Sequence, residues 1–296
     1  MYVVIGAGGY LGRYLIKNLL EKTEDQVLAV VNSSKPQPAT ERLHWDSCDI
    51  GSQNSIEAFA DRLKSYRKPY KIFFLAAYHH PDKVVEHPRT AWNINITGLS
   101  QFLNAVDNVE AFYYPSTEVV YGPSRGDYMF KEDDKLSPAN KYGEHKIIAE
   151  QMVLTHGYNI ARFPVLVGRS LIEDRRHFYD ELLEALQQDK PIKMFTDHYR
   201  SMLDFDTAAG ILVDLVNNYG AQKYPIVNVS GDEVMSKYEF GLKVAQSKKL
   251  NPDNIIPISM DDDNRIFKVK RVKKIQLDNS LVKQILNLDS LKIKIQ

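Results

Sequence analysis

Tyr142 and Lys146 stand four residues apart, so on a helix the phenol and the ammonium share one face, one turn apart. A phenol so placed can hand a proton to a nearby oxygen, and an adjacent cation lowers its pKa. Spacing alone proves little. With 17 tyrosines and 38 basic residues in 296, about two Tyr-x-x-x-basic matches arise by chance, and Tyr158 with Arg162 and Tyr219 with Lys223 are two others. Tyr158 enters a strand, and Tyr219 precedes Gly220 and Pro225, a helix-ending context. Tyr142 instead lies in a helical segment running to Glu150. It follows Ser116-Thr117, which come off an apolar strand and present hydroxyls at its carboxyl end.

A second chemical feature opens the chain. Gly6-Ala7-Gly8-Gly9-Tyr10-Leu11-Gly12 sits between an apolar strand and an amphipathic segment, where a helix start offers unpaired N–H groups to a pyrophosphate. Gly6 permits the tight turn, Gly9 the approach of backbone to phosphate, and Gly12 the close seating of helix on strand. The second strand ends Val31-Asn32-Ser33-Ser34-Lys35. No carboxylate stands there to bond both ribose hydroxyls, while hydroxyls and a lysine suit a 2′-phosphate, so NADP(H) is favoured and NAD(H) is the alternative. His79-His80 and His87 have no Asp or Cys partners at metal-site spacing, and no metal is assigned.

These features need a scaffold, and the pattern supplies one. Strands are predicted at 2–6, 27–32, 42–45, 71–76, 111–115 and 159–164. Amphipathic helices fall between them, with Leu11, Tyr14, Leu15 and Leu19 and then Ile56, Phe59, Ala60 and Leu63 at helical spacing. Such alternation predicts an α/β fold with a Rossmann-type doubly wound parallel sheet. Further helices are expected at 89–106, 138–156, 177–188, 206–218, 236–247 and 278–287. Past residue 165 the alternation weakens, and 191–196 and 255–259 read as short strands in a smaller C-terminal lobe. The expected division is 1–165 plus about 201–230 for the dinucleotide domain, and about 166–200 plus 231–296 for a substrate-binding lobe.

Composition narrows the class of partner. Thirty-eight acidic residues balance thirty-eight basic ones, so no global field recruits nucleic acid or an anionic membrane. The single cysteine, Cys48, fits a reducing compartment. The first apolar run is too short for a signal-peptide core, and the expected location is the cytoplasm. A homodimer is left open.

Taken in order, the glycine-rich turn, the strand-terminal Ser-Thr and the helical Tyr-x-x-x-Lys resemble the extended short-chain dehydrogenase/reductase superfamily. Ala76-Ala77-Tyr78 with Asp82-Lys83 and Asn95, then Ser116-Thr117-Glu118, Tyr142-Gly143 and Lys146, are similar to its dTDP-4-dehydrorhamnose reductase branch, which includes the regulatory subunit of methionine adenosyltransferase. Arg271 to Leu281 continues the likeness, with Val272 where the branch has proline. The branch's Asp-Gln-x-Gly-x-Pro-Thr loop is replaced here by Asp197-His198-Tyr199-Arg200-Ser201, which looks more like the arginine-bearing segment of sugar-nucleotide epimerases and dehydratases.

The resemblance implies a reductase of a nucleotide-activated 4-keto-6-deoxy sugar, with Tyr142 as proton donor, Thr117 bonding the same oxygen and Lys146 bonding the nicotinamide ribose while favouring the ionised phenol. It places Asp46 against adenine, Asn95 on backbone near the site, and Leu75, Ala76, Ala77 and Tyr78 along the cofactor, with Tyr10, Leu11, Phe163 and Val165 completing the cofactor set. Ser116 and Glu118 join Thr117 at the substrate, and Arg200 and Arg271 are assigned to its diphosphate, since guanidinium forks bind phosphate bidentately. An NAD-retaining epimerase or dehydratase, and a cofactor-binding regulatory subunit without catalysis, are the competing readings.

Overall fold

The computed structural model describes residues 1–32, 38–66, 68–218, 223–262 and 267–296. Six strands come before residue 165: β1 (Tyr2–Ile5), β2 (Val27–Val31), β3 (Leu43–Ser47), β4 (Tyr70–Phe74), β5 (Val109–Thr117) and β6 (Asn159–Phe163). Short strands follow: β7 (Leu166–Val167), β8 (Ile192–Phe195), β9 (Tyr199–Arg200), β10 (Leu203–Asp204), β11 (Ile226–Asn228), β12 (Met235–Ser236), β13 (Ile255–Ile258) and β14 (Lys274–Ile275). The helices are α1 (Tyr10–Lys22), α2 (Gln53–Lys64), α3 (Pro81–Glu86), α4 (Pro88–Trp92), α5 (Leu99–Ala105), α6 (Lys141–Thr155), α7 (Phe178–Gln187), α8 (Phe205–Asn217), α9 (Lys237–Lys248) and α10 (Ser280–Leu286).

β1 is apolar at every position because both faces of its sheet are covered. Tyr2 and Val4 enter the core beneath α1 and α8, whereas Val3 and Ile5 enter the one beneath α2, α5 and α6. The sheet has seven parallel strands in the order β11-β6-β5-β4-β1-β2-β3. Connectivity reverses between β1 and β4, which opens a crevice at their carboxyl ends. β11, only three residues long and at the sheet edge, was not among the strands expected from sequence.

The region after β6 builds its own core from Val167, Leu182, Met194, Phe240, Val244, Ile255 and their neighbours. There β12, β9 and β14 form a small sheet in that order, and β8 pairs in parallel with β13. The lobe is tied to the sheet domain through Asp82 at the start of α3, which accepts from the Val269 amide at 3.1 Å and pairs with the Arg271 guanidinium at 3.0 Å. Among the described residues no helix is long and apolar enough to cross a membrane.

The single helix expected over 89–106 is instead α4, a wider π-helical stretch over Asn93–Gly98, and α5. Gly98 is seated so closely that a Cβ there would lie 2.0 Å from the Ile50 carbonyl oxygen. α3 was not expected at all, because six residues opened by Pro81 are too few to display a period.

Candidate active site and dinucleotide cleft

At the carboxyl ends of β1, β2, β3 and β4 lies a cleft of about 280 Å³, lined by Gly6, Gly8, Gly9, Asn32, Asp49, Leu75, Ala76, Ala77, His79 and Arg175 among others. Gly6 adopts φ +86°, and a Cβ on it would lie 2.8 Å from the Ala76 amide. A Cβ on Gly12 would lie 2.7 Å from the Gly6 carbonyl oxygen, so this glycine seats α1 on the turn. Gly9 differs: its Cβ would meet protein only at the Gly6 oxygen, 3.4 Å away, which leaves that face of the turn open. A backbone concavity at the start of α1, kept clear of side chains, fits the diphosphate of a dinucleotide.

Four of the residues expected at the cofactor do not line this cleft. Tyr10 and Leu11 pack in the core around α1, Phe163 ends β6 inside that core, and Val165 packs on the lobe's core. Asn95, in the π-helical stretch, holds the backbone of Tyr78 in both directions, accepting from its N–H at 2.8 Å and donating to its carbonyl at 3.1 Å. It thereby fixes the segment that carries Ala76, Ala77 and His79. Ser33 and Ser34 lie outside the described residues.

Asp46 requires a correction. The expected strand over 42–45 placed this carboxylate just past its end. The strand in fact runs to Ser47, and Asp46 is held by Arg62 of α2 through contacts of 2.9 and 3.0 Å. The acidic residue that emerges beyond β3 into the cleft is Asp49, whose carboxylate also caps the Gly51 amide at 2.8 Å. Cys48 beside it is buried, which pushes its thiol up to about 11 and leaves it unreactive at neutral pH.

Ser116 and Thr117 close β5. Thr117 Oγ1 accepts from the Val119 amide at 3.3 Å and so starts a single 3₁₀ turn, while the buried Ser116 hydroxyl has no partner among the described residues. α6 is brought against this turn by Gly143, whose Cβ would be 2.7 Å from Pro138 and 3.1 Å from the Val119 carbonyl. Asn140 caps the helix by accepting from the Gly143 amide at 3.1 Å.

On α6, Lys146 is buried, and its ammonium donates to the Tyr114 hydroxyl at 2.9 Å and the Pro115 carbonyl at 2.8 Å. Burial lowers its pKa to about 7, against a smaller opposing pull from Glu150. The Tyr142 hydroxyl makes no hydrogen bond among the described residues, and burial raises its pKa well above the usual value for a phenol. The Lys146 ammonium thus bonds Tyr114 and the backbone, and no hydrogen bond joins it to the Tyr142 hydroxyl among the described residues. The Lys146 charge reaches His79 in the cleft wall, whose pKa burial and then that cation lower.

The diphosphate assignment of Arg200 does not survive. Its Nε lies 2.7 Å from Glu118, and its other nitrogens donate to the carbonyls of Tyr199, Val272 and Lys273. Both partners are buried, so Glu118, also expected at the substrate, is committed to the pair. Arg271, paired with Asp82, keeps one buried nitrogen without a partner. The small sheet adds a cation that the sequence did not suggest. Lys237 follows β12, which pairs with β9, and its pKa is lowered by burial and by the charges of Arg200 and Arg271. Among the described residues Lys237 makes no ion pair.

The family model described as RmlD substrate binding domain matches residues 1–294, and the chain belongs to this family, within the dTDP-4-dehydrorhamnose reductase-like branch of the extended short-chain dehydrogenases/reductases. By class it is an NAD(P)-dependent oxidoreductase. The methionine adenosyltransferase 2 subunit beta of Danio rerio is 24% identical over 265 residues, covering 87% of this chain and 76% of that one. The dTDP-4-dehydrorhamnose reductase of Mycolicibacterium smegmatis is 24% identical over 263 residues, covering 88% and 72%. Among solved structures, a hypothetical dTDP-4-dehydrorhamnose reductase from Sulfolobus tokodaii shares the fold with a TM-score of 0.81 at 24% identity, covering 99% of this chain and 97% of that one. The Bacillus anthracis dTDP-4-dehydrorhamnose reductase in complex with NADP gives 0.77 at 19%, covering 98% and 94%.

Proposed function

We propose that the chain reduces the ketone of a nucleotide-activated 4-keto-6-deoxy sugar with NADP(H). The observation that carries this reading is the Tyr142 hydroxyl, buried without a hydrogen bond among the described residues and one helical turn from Lys146, where burial disfavours its ionisation. A phenol in that state is a proton donor, the role a carbonyl reduction requires, whereas an oxidation would start from the phenolate. When bound, the reduced nicotinamide supplies the hydride. Tyr142 gives its proton to the oxygen that becomes the alcohol, and Thr117 bonds the same oxygen. Once the ribose displaces the contact to Tyr114, Lys146 bonds it.

Gly8 and Gly9 take the cofactor diphosphate, Asp49 the adenine, and Asn32, with no carboxylate beside it at the end of β2, leaves room for a 2′-phosphate. Arg271, which keeps one buried nitrogen unbonded beside its pair with Asp82, and Lys237, which makes no ion pair among the described residues, take the substrate's diphosphate, since an arriving anion offsets the cost of their burial. The arginine that favoured an epimerase or dehydratase, Arg200, is consumed by Glu118. The regulatory-subunit reading is kept by one observation: the methionine adenosyltransferase subunit matches this chain at the same identity as the reductase.

The test is oxidation of NADPH, followed by absorbance, with a dTDP-4-keto-6-deoxyhexose. Turnover lost in Tyr142→Phe supports the reductase. Cofactor binding without turnover on any 4-keto nucleotide sugar, together with a stable complex with a methionine adenosyltransferase catalytic subunit, favours the regulatory reading.

A further inference from the structure

The segment between β7 and α7, residues 168–177, belongs by sequence to the lobe and is fastened to α1 of the sheet domain. Tyr14 donates its hydroxyl proton to the Arg169 carbonyl at 2.9 Å, and Tyr10 donates to the Arg176 carbonyl at 2.5 Å. The Tyr10 ring also meets His177 edge-on, with centroids 5.2 Å apart. Both tyrosines grow from the helix that the glycine turn opens. The segment is thus registered against that turn by the chain itself.

The fastening delivers Arg175 to the cleft wall, where it joins Gly6, Gly8, Gly9 and His79. Its guanidinium carbon lies 5.9 Å from the centroid of the Tyr10 ring, and its charge reaches the His79 ring. Among the described residues that guanidinium makes no hydrogen bond and no ion pair, although Asp49 lines the same cleft. A helix start offers only about half an elementary charge, while a diphosphate brings two. A guanidinium fork supplies a full charge in bidentate geometry.

We propose that Arg175 is the cationic clamp on the cofactor's diphosphate, contributed by the lobe segment to a site otherwise built from backbone N–H groups. The proposal rests on the reading that the cleft takes a nicotinamide dinucleotide. It makes the bound cofactor a bridge between the sheet domain and the 168–177 segment.

The test is the dissociation constant of the purified protein for NADPH and for NADH, by calorimetry, in wild type, Arg175→Gln and Arg175→Lys. Arg175 is exposed, so both variants fold, which matching thermal transitions check. Arg175→Gln weakens NADPH and NADH by the same factor, about 10- to 100-fold, the worth of charge-assisted bonds to phosphate. Arg175→Lys recovers part of the loss. Unchanged constants in Arg175→Gln, or a loss confined to NADPH, which would put the guanidinium at the 2′-phosphate, overturn the proposal while leaving the cofactor reading intact. A wild-type protein that binds neither dinucleotide overturns both.

Discussion

The Lys146 ammonium lies 2.9 Å from the Tyr114 hydroxyl and 4.2 Å from the centroid of that ring, so the phenol and its π face together shelter a buried cation. Shelter is incomplete, since burial still brings the lysine to about 7. In the unfolded chain it titrates near its usual 10.5. Between those values the unfolded chain holds a proton that the folded one has released, so this group makes stability rise with pH across the window, and its full penalty is present below pH 7. Lys146→Met is therefore more stable than wild type by a few kcal/mol at pH 6, and the advantage shrinks toward zero by pH 10. Urea unfolding of both proteins across that range measures it. A stability difference flat in pH would mean that the ammonium is not destabilised.

In the proposed reaction Tyr142→Phe removes the proton donor, and it breaks no hydrogen bond among the described residues. Turnover of a keto-sugar substrate falls about 10²- to 10⁴-fold, the usual contribution of a positioned general acid. The Kd for NADPH stays within about threefold of wild type, because the residue contributes no charge to cofactor binding. Stopped-flow turnover and calorimetry on the same preparation separate the two effects.

Breaking the Arg200–Glu118 pair leaves one charge buried alone. Arg200→Met destabilises the fold by about 3–5 kcal/mol. Replacing both, Arg200→Met with Glu118→Leu, recovers most of that loss. Denaturant unfolding of the two single variants and the double closes the cycle, and strictly additive losses would show that the charges do not depend on each other.

The glycines of the turn divide by function. Gly12→Ala drives a Cβ to 2.7 Å from the Gly6 oxygen and 2.9 Å from Ala7, so it lowers the melting temperature and NADPH affinity together. Gly9→Ala has room within the protein, and the variant keeps its stability to within about 1 kcal/mol while losing at least tenfold in NADPH affinity. Thermal unfolding with and without NADPH distinguishes the two.

What was legible in the sequence was what repeats locally. Both faces of the central strands are buried, so they read as apolar runs, and the helices of the sheet domain show their period. Thr117, Tyr142 and Lys146 could be singled out because each is pinned to the end or face of such an element. Asp49 was missed through a two-residue error in the end of β3, which put Asp46 in its place as the acidic residue of the cleft. The Arg200–Glu118 pair was invisible because the two-residue strand β9 of the lobe meets the turn after β5 only in three dimensions. Lys237 had no local signal, since a lysine opening a helix capped by a serine, here Ser236, is ordinary. Arg175 sits among charged residues of an exposed loop and is distinguished only by what lies across from it.

The π-helical stretch between α4 and α5 has an evolutionary corollary. A helix that carries an extra residue in one turn faces its two ends toward directions that no regular helix of that length could serve at once. Asn95 must look toward Tyr78, and Gly98 must admit the Ile50 carbonyl. Deleting any one residue from 93–98 would restore regular winding and rotate one end by roughly 100° against the other. Outside Asn95 and Gly98 the stretch therefore tolerates exchange of side chains better than a change in length, and descendants of this chain should vary there in letters but not in number.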